Sequence, residues 1–561
     1  MSAALPNSST NPDWWTRTTI YQIYPRSFKD SNGDGIGDLR GIIEQLDYLR
    51  DLGVETLWIC PFYEGPQRDF GYDIVDHEKV AAEYGTDADL RALVDAVHQR
   101  GMKLVFDLVL NHTSDEHPWF TASRVDRAAP LRDFYIWRDG KKPKGAAPPN
   151  NWRSALGSSG WHYDARSAQW YFASFLPFQP DLNYRNPALK QRMLGLVRHW
   201  LAAGADGLRL DLFHVLYKDA AFADNPGSLR MVPSTEKLDG FFQSPVHTQH
   251  HADTVRFASE LRTVVDEFQA PPRFLLGEVF GDSETLRRYC GEDQTGLHFV
   301  FLFKSLTTRF SARAFRALIE EYERHFPEPL APTWVFGNHD RPRLIERLGN
   351  QIEKAKLVAA LQLTVRGVPV IYNGDELGLP HHDMSRQGAL DPVARLYRFV
   401  PRWLEPLLRR RGILLNRDSV RSPMPWSGVV HGGFSARAEA VPWLPVHPAG
   451  GVLHVEAQLA DPTSLLNWYR RLLQLRRERV SLSEGRLELI LDNDKHVLGY
   501  RRIAKPPAKE ITTVLLNFSA RGRRVVLPSS LRHGYSSRGR SLRDQIGALT
   551  LLPHEAIIGW P

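Results

Sequence analysis

Three carboxylates stand where apolar runs of this chain end. Asp211 closes the run at 207–210, Glu278 follows the run at 273–277, and Asp340 comes shortly after the run at 333–336. Arg209 lies two residues before Asp211, and His112 and His339 follow other runs. An Asp at a strand end is often only a helix cap, and a lone His is often a satisfied core residue. Gathered on one rim, however, paired acids can cut a glycosidic bond. One carboxylate attacks the anomeric carbon while a second protonates the leaving oxygen, and retention of configuration requires the pair to lie about 5–5.5 Å apart.

For such residues to meet, the runs must be neighbouring strands. Eight short apolar runs (20–24, 56–60, 103–108, 207–210, 273–277, 297–301, 333–336 and 368–372) alternate with amphipathic stretches of helical period. That alternation predicts an α/β fold, a (β/α)8 TIM barrel whose active groups sit at the carboxyl ends of the strands. Residues 113–180, rich in Pro, Gly, Ser and Trp, read as a subdomain inserted after the third strand. From about residue 483 short alternating runs predict a C-terminal antiparallel β-sandwich. The expected domains are therefore a barrel over 1–112 and 181–482, an insertion over 113–180, and a sandwich over 483–561.

The same residues carry a family resemblance. Asp107-Leu-Val-Leu-Asn111-His112, Gly207-Leu-Arg209-Leu-Asp211, Gly277-Glu278-Val and Phe336-Gly-Asn338-His339-Asp340 resemble, in order, the four blocks of the α-amylase family, glycoside hydrolase family 13. Gln179-Pro-Asp181-Leu-Asn183 resembles the block that marks its oligo-1,6-glucosidase and α-glucosidase subfamily, and Pro149-Asn-Asn-Trp152, Asn373-Gly-Asp-Glu376 and Arg421-Ser-Pro-Met-Pro-Trp426 also match. The resemblance implies that Asp211 is a nucleophile held ionised by Arg209. It also implies that Glu278 is general acid and then base, and that Asp340 binds ring hydroxyls and helps distort the sugar. His112 and His339 would donate hydrogen bonds to that ring, and Tyr72 would be its stacking platform. Asp73 and Arg421 would pair across the end of the pocket, making the enzyme an exo-acting α-glucosidase on short oligosaccharides or disaccharides. A transglycosylase or isomerase of the same family, of the trehalose synthase, sucrose isomerase or amylosucrase type, is the alternative.

The segment Asp30-Ser-Asn32-Gly-Asp34-Gly-Ile36-Gly-Asp38 offers oxygen ligands at alternate positions, as hard cations need, but its twelfth position is Gly41, which excludes an EF-hand. It is similar to the structural calcium (sometimes magnesium) loop of family α-glucosidases, with Asp30, Asn32, Asp34, Ile36 and Asp38 as ligands. No cofactor is expected for the chemistry itself. Leu212, after the nucleophile, resembles the Val of α-1,6 enzymes more than the Thr, Ala or Gly of α-1,4 enzymes, while Phe213-His214 departs from the commoner Ile-Asn or Ala-Asn.

Composition narrows the remaining classes. The chain has 561 residues, 42% hydrophobic and 24% charged, with 71 Lys and Arg against 64 Asp and Glu, so disorder and fibrous folds are excluded and the net charge is +7. The excess is local: residues 501–545 carry eleven Lys and Arg against one Glu and one Asp. A solvated basic face of the accessory domain explains this without a nucleic-acid partner. Two cysteines, Cys60 and Cys290, cannot form a disulfide framework and read as buried thiols in a reducing compartment. With no apolar run at residues 1–10 and none long enough to span a bilayer, the expectation is a cytoplasmic protein without a membrane partner.

Overall fold

A computed structural model describes residues 13–492, 494–527 and 529–561, without the side chains of Lys144 and Arg410. Residues 1–10, on which the reading of the N-terminus rests, lie outside the described residues.

Eight parallel strands form one sheet: β1 (Ile20–Ile23), β2 (Thr56–Ile59), β3 (Lys103–Val109), β4 (Gly207–Asp211), β5 (Phe274–Gly277), β6 (Phe299–Val300), β7 (Thr333–Val335) and β8 (Val368–Tyr372). Their order is β6-β5-β4-β3-β2-β1-β8-β7, a nearly closed barrel. Between β6 and β7 the side chain of Thr333 stands in for the ladder: its hydroxyl accepts from the Leu302 N–H and donates to the Val300 carbonyl, each at 2.9 Å. Strands covered on both faces read as continuous apolar runs. Alternate residues divide accordingly, with Ile20, Trp58, Val105, Leu276 and Val335 in a core cluster inside the barrel. Tyr21, Leu57, Leu104, Leu275 and Trp334 face the helices.

Helix boundaries follow local chemistry. Thr86 and Asp89 form a capping box at the start of Asp87–Gln99, and Gly53, at φ 101°, ends Leu46–Leu52 in the left-handed conformation that glycine adopts without penalty. The amphipathic stretch 39–52 forms two helices, Leu39–Glu44 and Leu46–Leu52, separated at Gln45. The insertion folds around a three-stranded antiparallel sheet, Trp137–Arg138, Gln169–Phe172 and Trp161–Asp164.

At the C-terminus lie β9 (Arg486–Ile490), β10 (Val497–Ile503), β11 (Ile511–Asn517), β12 (Arg523–Val526), β13 (His533–Ser536), β14 (Ala548–Leu551) and β15 (Ala556–Trp560). A five-stranded sheet, β9-β10-β11-β15-β13, faces the pair β12-β14 across a core that includes Val497, Leu515, Leu549 and Ile557. The opposite face, with Leu498, Tyr500, Leu516 and Ile558, belongs to the core shared with the barrel. Four cations of the basic tail have acidic partners: Arg501 with Glu488, Lys505 with Glu328, Arg538 with Glu353 and Arg540 with Glu555. Two of these, Glu328 and Glu353, belong to the barrel, so part of the excess charge docks the sandwich. Both cysteines are free and buried. Among the described residues no helix is long and apolar enough to cross a membrane.

Candidate active site

Arg209 is the centre of the rim. On β4 it stands level with Asp107 of β3 and Leu276 of β5, and the two-residue period of a strand puts Asp211 on its own face. One Nη1 lies 2.7 Å from both Asp107 Oδ1 and Asp211 Oδ1, while Nη2 lies 2.7 Å from Glu278 Oε2. A single guanidinium thus serves three carboxylates, none of them more than 6% exposed. Burial raises Asp107 and Asp211, Arg209 pulls both down, and the charge of Glu278 raises them further. The balance leaves Asp107 at about 6 and Asp211 well above the ordinary carboxylate value.

The backbone clamps the pair together. Glu278 donates its N–H to the Leu210 carbonyl at 2.8 Å and its carbonyl accepts from the Phe213 N–H at 2.9 Å. Leu212 sits at φ 40°, a left-handed conformation that costs a branched residue roughly 1–3 kcal/mol, and its N–H donates to Glu278 Oε2 at 3.3 Å.

On the other side, the Tyr72 hydroxyl donates to Asp107 Oδ2 at 3.1 Å and lies 2.9 Å from His339 Nε2. The Gln22 amide is 2.7 Å from His339 Nδ1. Burial pushes His339 down to about 3, so the ring is neutral. Asp340 sits 3.3 Å from His339 Nε2, 2.6 Å from Arg421 Nη2 and 3.4 Å from Arg417 Nη1. Burial alone would raise this carboxyl; the surrounding positive charge reverses that and holds it well below the usual range.

The expected pair of Asp73 and Arg421 does not form. Asp73 is buried, with its oxygens accepting from the backbone N–H groups of Arg68 at 2.8 Å and Asp69 at 3.0 Å, and burial pushes the carboxyl up to about 7. Arg421 is spent on Asp340 and on the His339 carbonyl, 2.9 Å from its Nε. The bridge is made instead by residues four positions earlier in each segment: Arg417 Nη2 lies 2.6 Å from Asp69 Oδ1 and 2.8 Å from Asp391 Oδ1. Gln179, from the subfamily-like block, donates to Asp69 Oδ2 at 2.9 Å. Asp181 of that block accepts from Asn111 at 3.1 Å and from the Ser174 N–H at 2.8 Å, tying the insertion to the end of β3.

A cavity of about 420 Å³ opens above these groups, within the size range of small-molecule sites, and Asp69, Tyr72, His112, Asp211, Glu278, Asp340 and Arg417 line it. Its walls come from the insertion (Arg153 to Leu156, Ser174, Phe175), the segment after β4 and the segment after β8. The Tyr397 hydroxyl donates to the Leu156 carbonyl at 2.7 Å, joining the first and last of these. Arg209, His339, Asp73 and Arg421 lie behind the lining and act on it through Asp211, Tyr72, Asp69 and Asp340. His112 Nε2 donates to the Tyr72 carbonyl at 3.1 Å, and burial lowers its ring from the usual value.

The candidate cation loop has oxygen donors but not a formed cage. Asp30 accepts from the Gly33 and Gly35 N–H groups at 2.6 and 2.9 Å, Asp34 from the Ile36 N–H at 2.8 Å, and Asn32 from the Asp34 N–H at 2.8 Å. Asp38 caps helix Leu39–Glu44 through the Gly41 N–H and accepts from Ser31. Among the described residues no three acidic, His or Cys side chains converge as a metal site. The loop is held by its own hydrogen bonds.

Residues 22–485 match the alpha-amylase catalytic domain. The chain is 37% identical over 502 residues to a probable alpha-glucosidase of Rhizobium meliloti, with 87% of each chain covered. It is 36% identical over 519 residues to an oligo-1,6-glucosidase of Halalkalibacterium halodurans, covering 87% of this chain and 88% of that one. Among solved structures, the alpha-glucosyl transfer enzyme XgtA matches with a TM-score of 0.86 at 34% identity, covering 98% of this chain and all of the other. The trehalulose synthase MutB from Pseudomonas mesoacidophila also reaches 0.86, at 31% identity with the same coverage. A barrel rim carrying these acids and likenesses of this extent have one reading: the chain belongs to the alpha-amylase family and is a glycoside hydrolase.

Proposed function

We propose that the protein is a retaining, exo-acting α-glucosidase that releases glucose from the non-reducing end of short α-glucosides. The observation that carries this is the shared guanidinium. Asp211 and Glu278 touch different nitrogens of Arg209, each at 2.7 Å, on the floor of one cavity. Carboxylates that share one guanidinium are close neighbours, which supports the roughly 5 Å spacing of double displacement.

In the first step Glu278 gives its proton to the glycosidic oxygen, Asp211 attacks the anomeric carbon, and the bond to the leaving group breaks. A β-glucosyl ester on Asp211 results. In the second step Glu278 takes a proton from water, the water oxygen bonds to the anomeric carbon, and the ester breaks to return the carboxylate. Arg209 favours the ionised form of Asp211 at the start and end of the cycle. Asp340, kept anionic by Arg417 and Arg421, accepts hydrogen bonds from ring hydroxyls and supports the positive charge that develops on the sugar. The bridge between Asp69 and Arg417 supports a pocket blind at one end, the arrangement that confines cleavage to a terminal glucose.

Incubation with maltose, isomaltose, sucrose, trehalose and soluble starch tests this reading. Release of glucose from a disaccharide, with starch the poorest substrate, is the expected result; cleavage of starch into oligosaccharides would overturn the closed pocket. The likeness to a glucosyl transfer enzyme and a trehalulose synthase supports a second reading, glucosyl transfer or isomerisation. Rearranged disaccharides or longer glucans in place of free glucose would favour it.

A further inference from the structure

Resting on that reading, we propose that the outer half of the cavity accommodates an apolar aglycone, so that α-glucosides of aliphatic alcohols are substrates in preference to glucose-glucose disaccharides. The lining divides by chemistry. Four acids, Asp69, Asp211, Glu278 and Asp340, line the cavity and lie at the barrel rim; the segments 212–249 and 393–417 add none to the lining. They contribute instead Val215, Pro233, Phe241, Val400 and Ile413, joined by Phe280 from the loop after β5.

Several polar side chains in this outer half are occupied by the protein itself. Gln243 accepts from the Arg153 N–H and from Asn225 and donates to the Asn151 carbonyl. Thr248 donates to the Pro245 carbonyl, and Arg341 donates to the Gly412 carbonyl while lying 5.3 Å from the Phe280 ring centre. Among the described lining residues, His214 Nδ1 and Gln249 Oε1 are buried polar atoms without a partner. Hydroxyls of a second pyranose lying against the apolar side chains of this wall would lose their hydration without regaining a hydrogen bond.

The same two segments continue the apolar character outward. Met231 and Phe242 are 60% and 61% exposed, and Phe399 and Trp403 are 80% and 76% exposed. Because the catalytic floor fixes the glucosyl half of the substrate, the group facing this wall is the leaving group.

The test is kcat/KM for methyl, butyl, hexyl and octyl α-D-glucosides below micelle-forming concentrations, beside maltose and isomaltose. The alkyl alcohols are of similar basicity as leaving groups, so the series varies apolar contact alone. Each fully buried methylene is worth about fourfold; the expected rise from methyl to hexyl is at least about tenfold, with the octyl glucoside exceeding both disaccharides. Val400→Asn and Ile413→Asn should each lower the octyl-to-methyl ratio, an internal comparison that a loss of folded protein does not distort. A flat series with good turnover of maltose or isomaltose overturns the aglycone site and leaves the glucosidase reading standing. No hydrolysis of any of the six substrates overturns the glucosidase reading itself.

Discussion

Replacing Arg209 should move the pH dependence of the reaction, not only its rate. Its guanidinium lies 2.7 Å from Asp107, Asp211 and Glu278, and its own side chain is 1% exposed. Arg209→Met would leave three buried carboxylates without their shared cation. A unit charge pair about 4 Å apart at an effective dielectric of 20 is worth about 4 kcal/mol. After solvent and neighbouring groups respond, loss of an adjacent Arg raises a carboxylate by about 1–3 pKa units. The sign is fixed: removing a cation disfavours the ionised nucleophile, so the acid limb of kcat/KM moves to higher pH by that amount. At a pH on that limb activity should fall by up to about tenfold for each unit. Arg209→Lys, which keeps the charge but cannot fork between partners, should shift the limb less. Rates for a soluble α-glucoside between pH 4.5 and 9, with folding checked by circular dichroism, measure this. An acid limb unmoved in folded Arg209→Met would refute the argument that Arg209 sets the ionisation of the site.

Other perturbations have defined outcomes. Arg417→Ala breaks the bridge to Asp69 and Asp391; KM for maltose should rise at least about tenfold, since a buried charge-paired contact is worth about 2–5 kcal/mol on truncation, and steady-state kinetics check it. Arg421→Met leaves Asp340 with Arg417 as its one arginine partner and removes the donor to the His339 carbonyl; denaturant titration should show a loss of about 1–3 kcal/mol at neutral pH. Because the folded carboxyl of Asp340 is held below its unfolded value, its contribution is present above about pH 4 and lost as pH falls. The stability gap between wild type and Asp340→Asn should therefore narrow in acid. Tyr397→Phe removes one neutral hydrogen bond across the cavity mouth; a two- to tenfold rise in KM with little change in kcat is expected from about 0.5–1.5 kcal/mol.

The barrel was legible because every strand is buried on both faces and so reads as a mostly apolar run, broken only by the few polar residues that point into the barrel or its rim. Seven of the predicted runs begin within one residue of the observed strand; the sixth, expected over 297–301, shortens to Phe299–Val300 because the seam beside it is bridged by Thr333. In the C-terminal region β13 and β14 carry the weakest sequence signal, as His533–Ser536 and Ala548–Leu551 are short and bordered by Arg, Ser and Gly. Within the site, the acids announced themselves by lying at strand ends. The bridge of Asp69 and Arg417 did not, because Asp69 and Asp73 share one loop, Arg417 and Arg421 share another, and only the fold of each loop decides which side chain turns inward. Likewise the contact from Arg209 to Glu278 depends on the register of β4 against β5, which no spacing along the chain encodes. The apolar outer wall is scattered over 200 residues of sequence and becomes visible only as a surface.

The central claim is double displacement through Asp211, and the anomer of the first product tests it most directly. Proton NMR followed during hydrolysis of methyl α-D-glucoside or maltose distinguishes the two forms of newly released glucose before they interconvert. Two inversions at the anomeric carbon predict that α-glucose appears first and β-glucose grows in only by mutarotation. Initial release of β-glucose would mean a single displacement by water and would contradict the account.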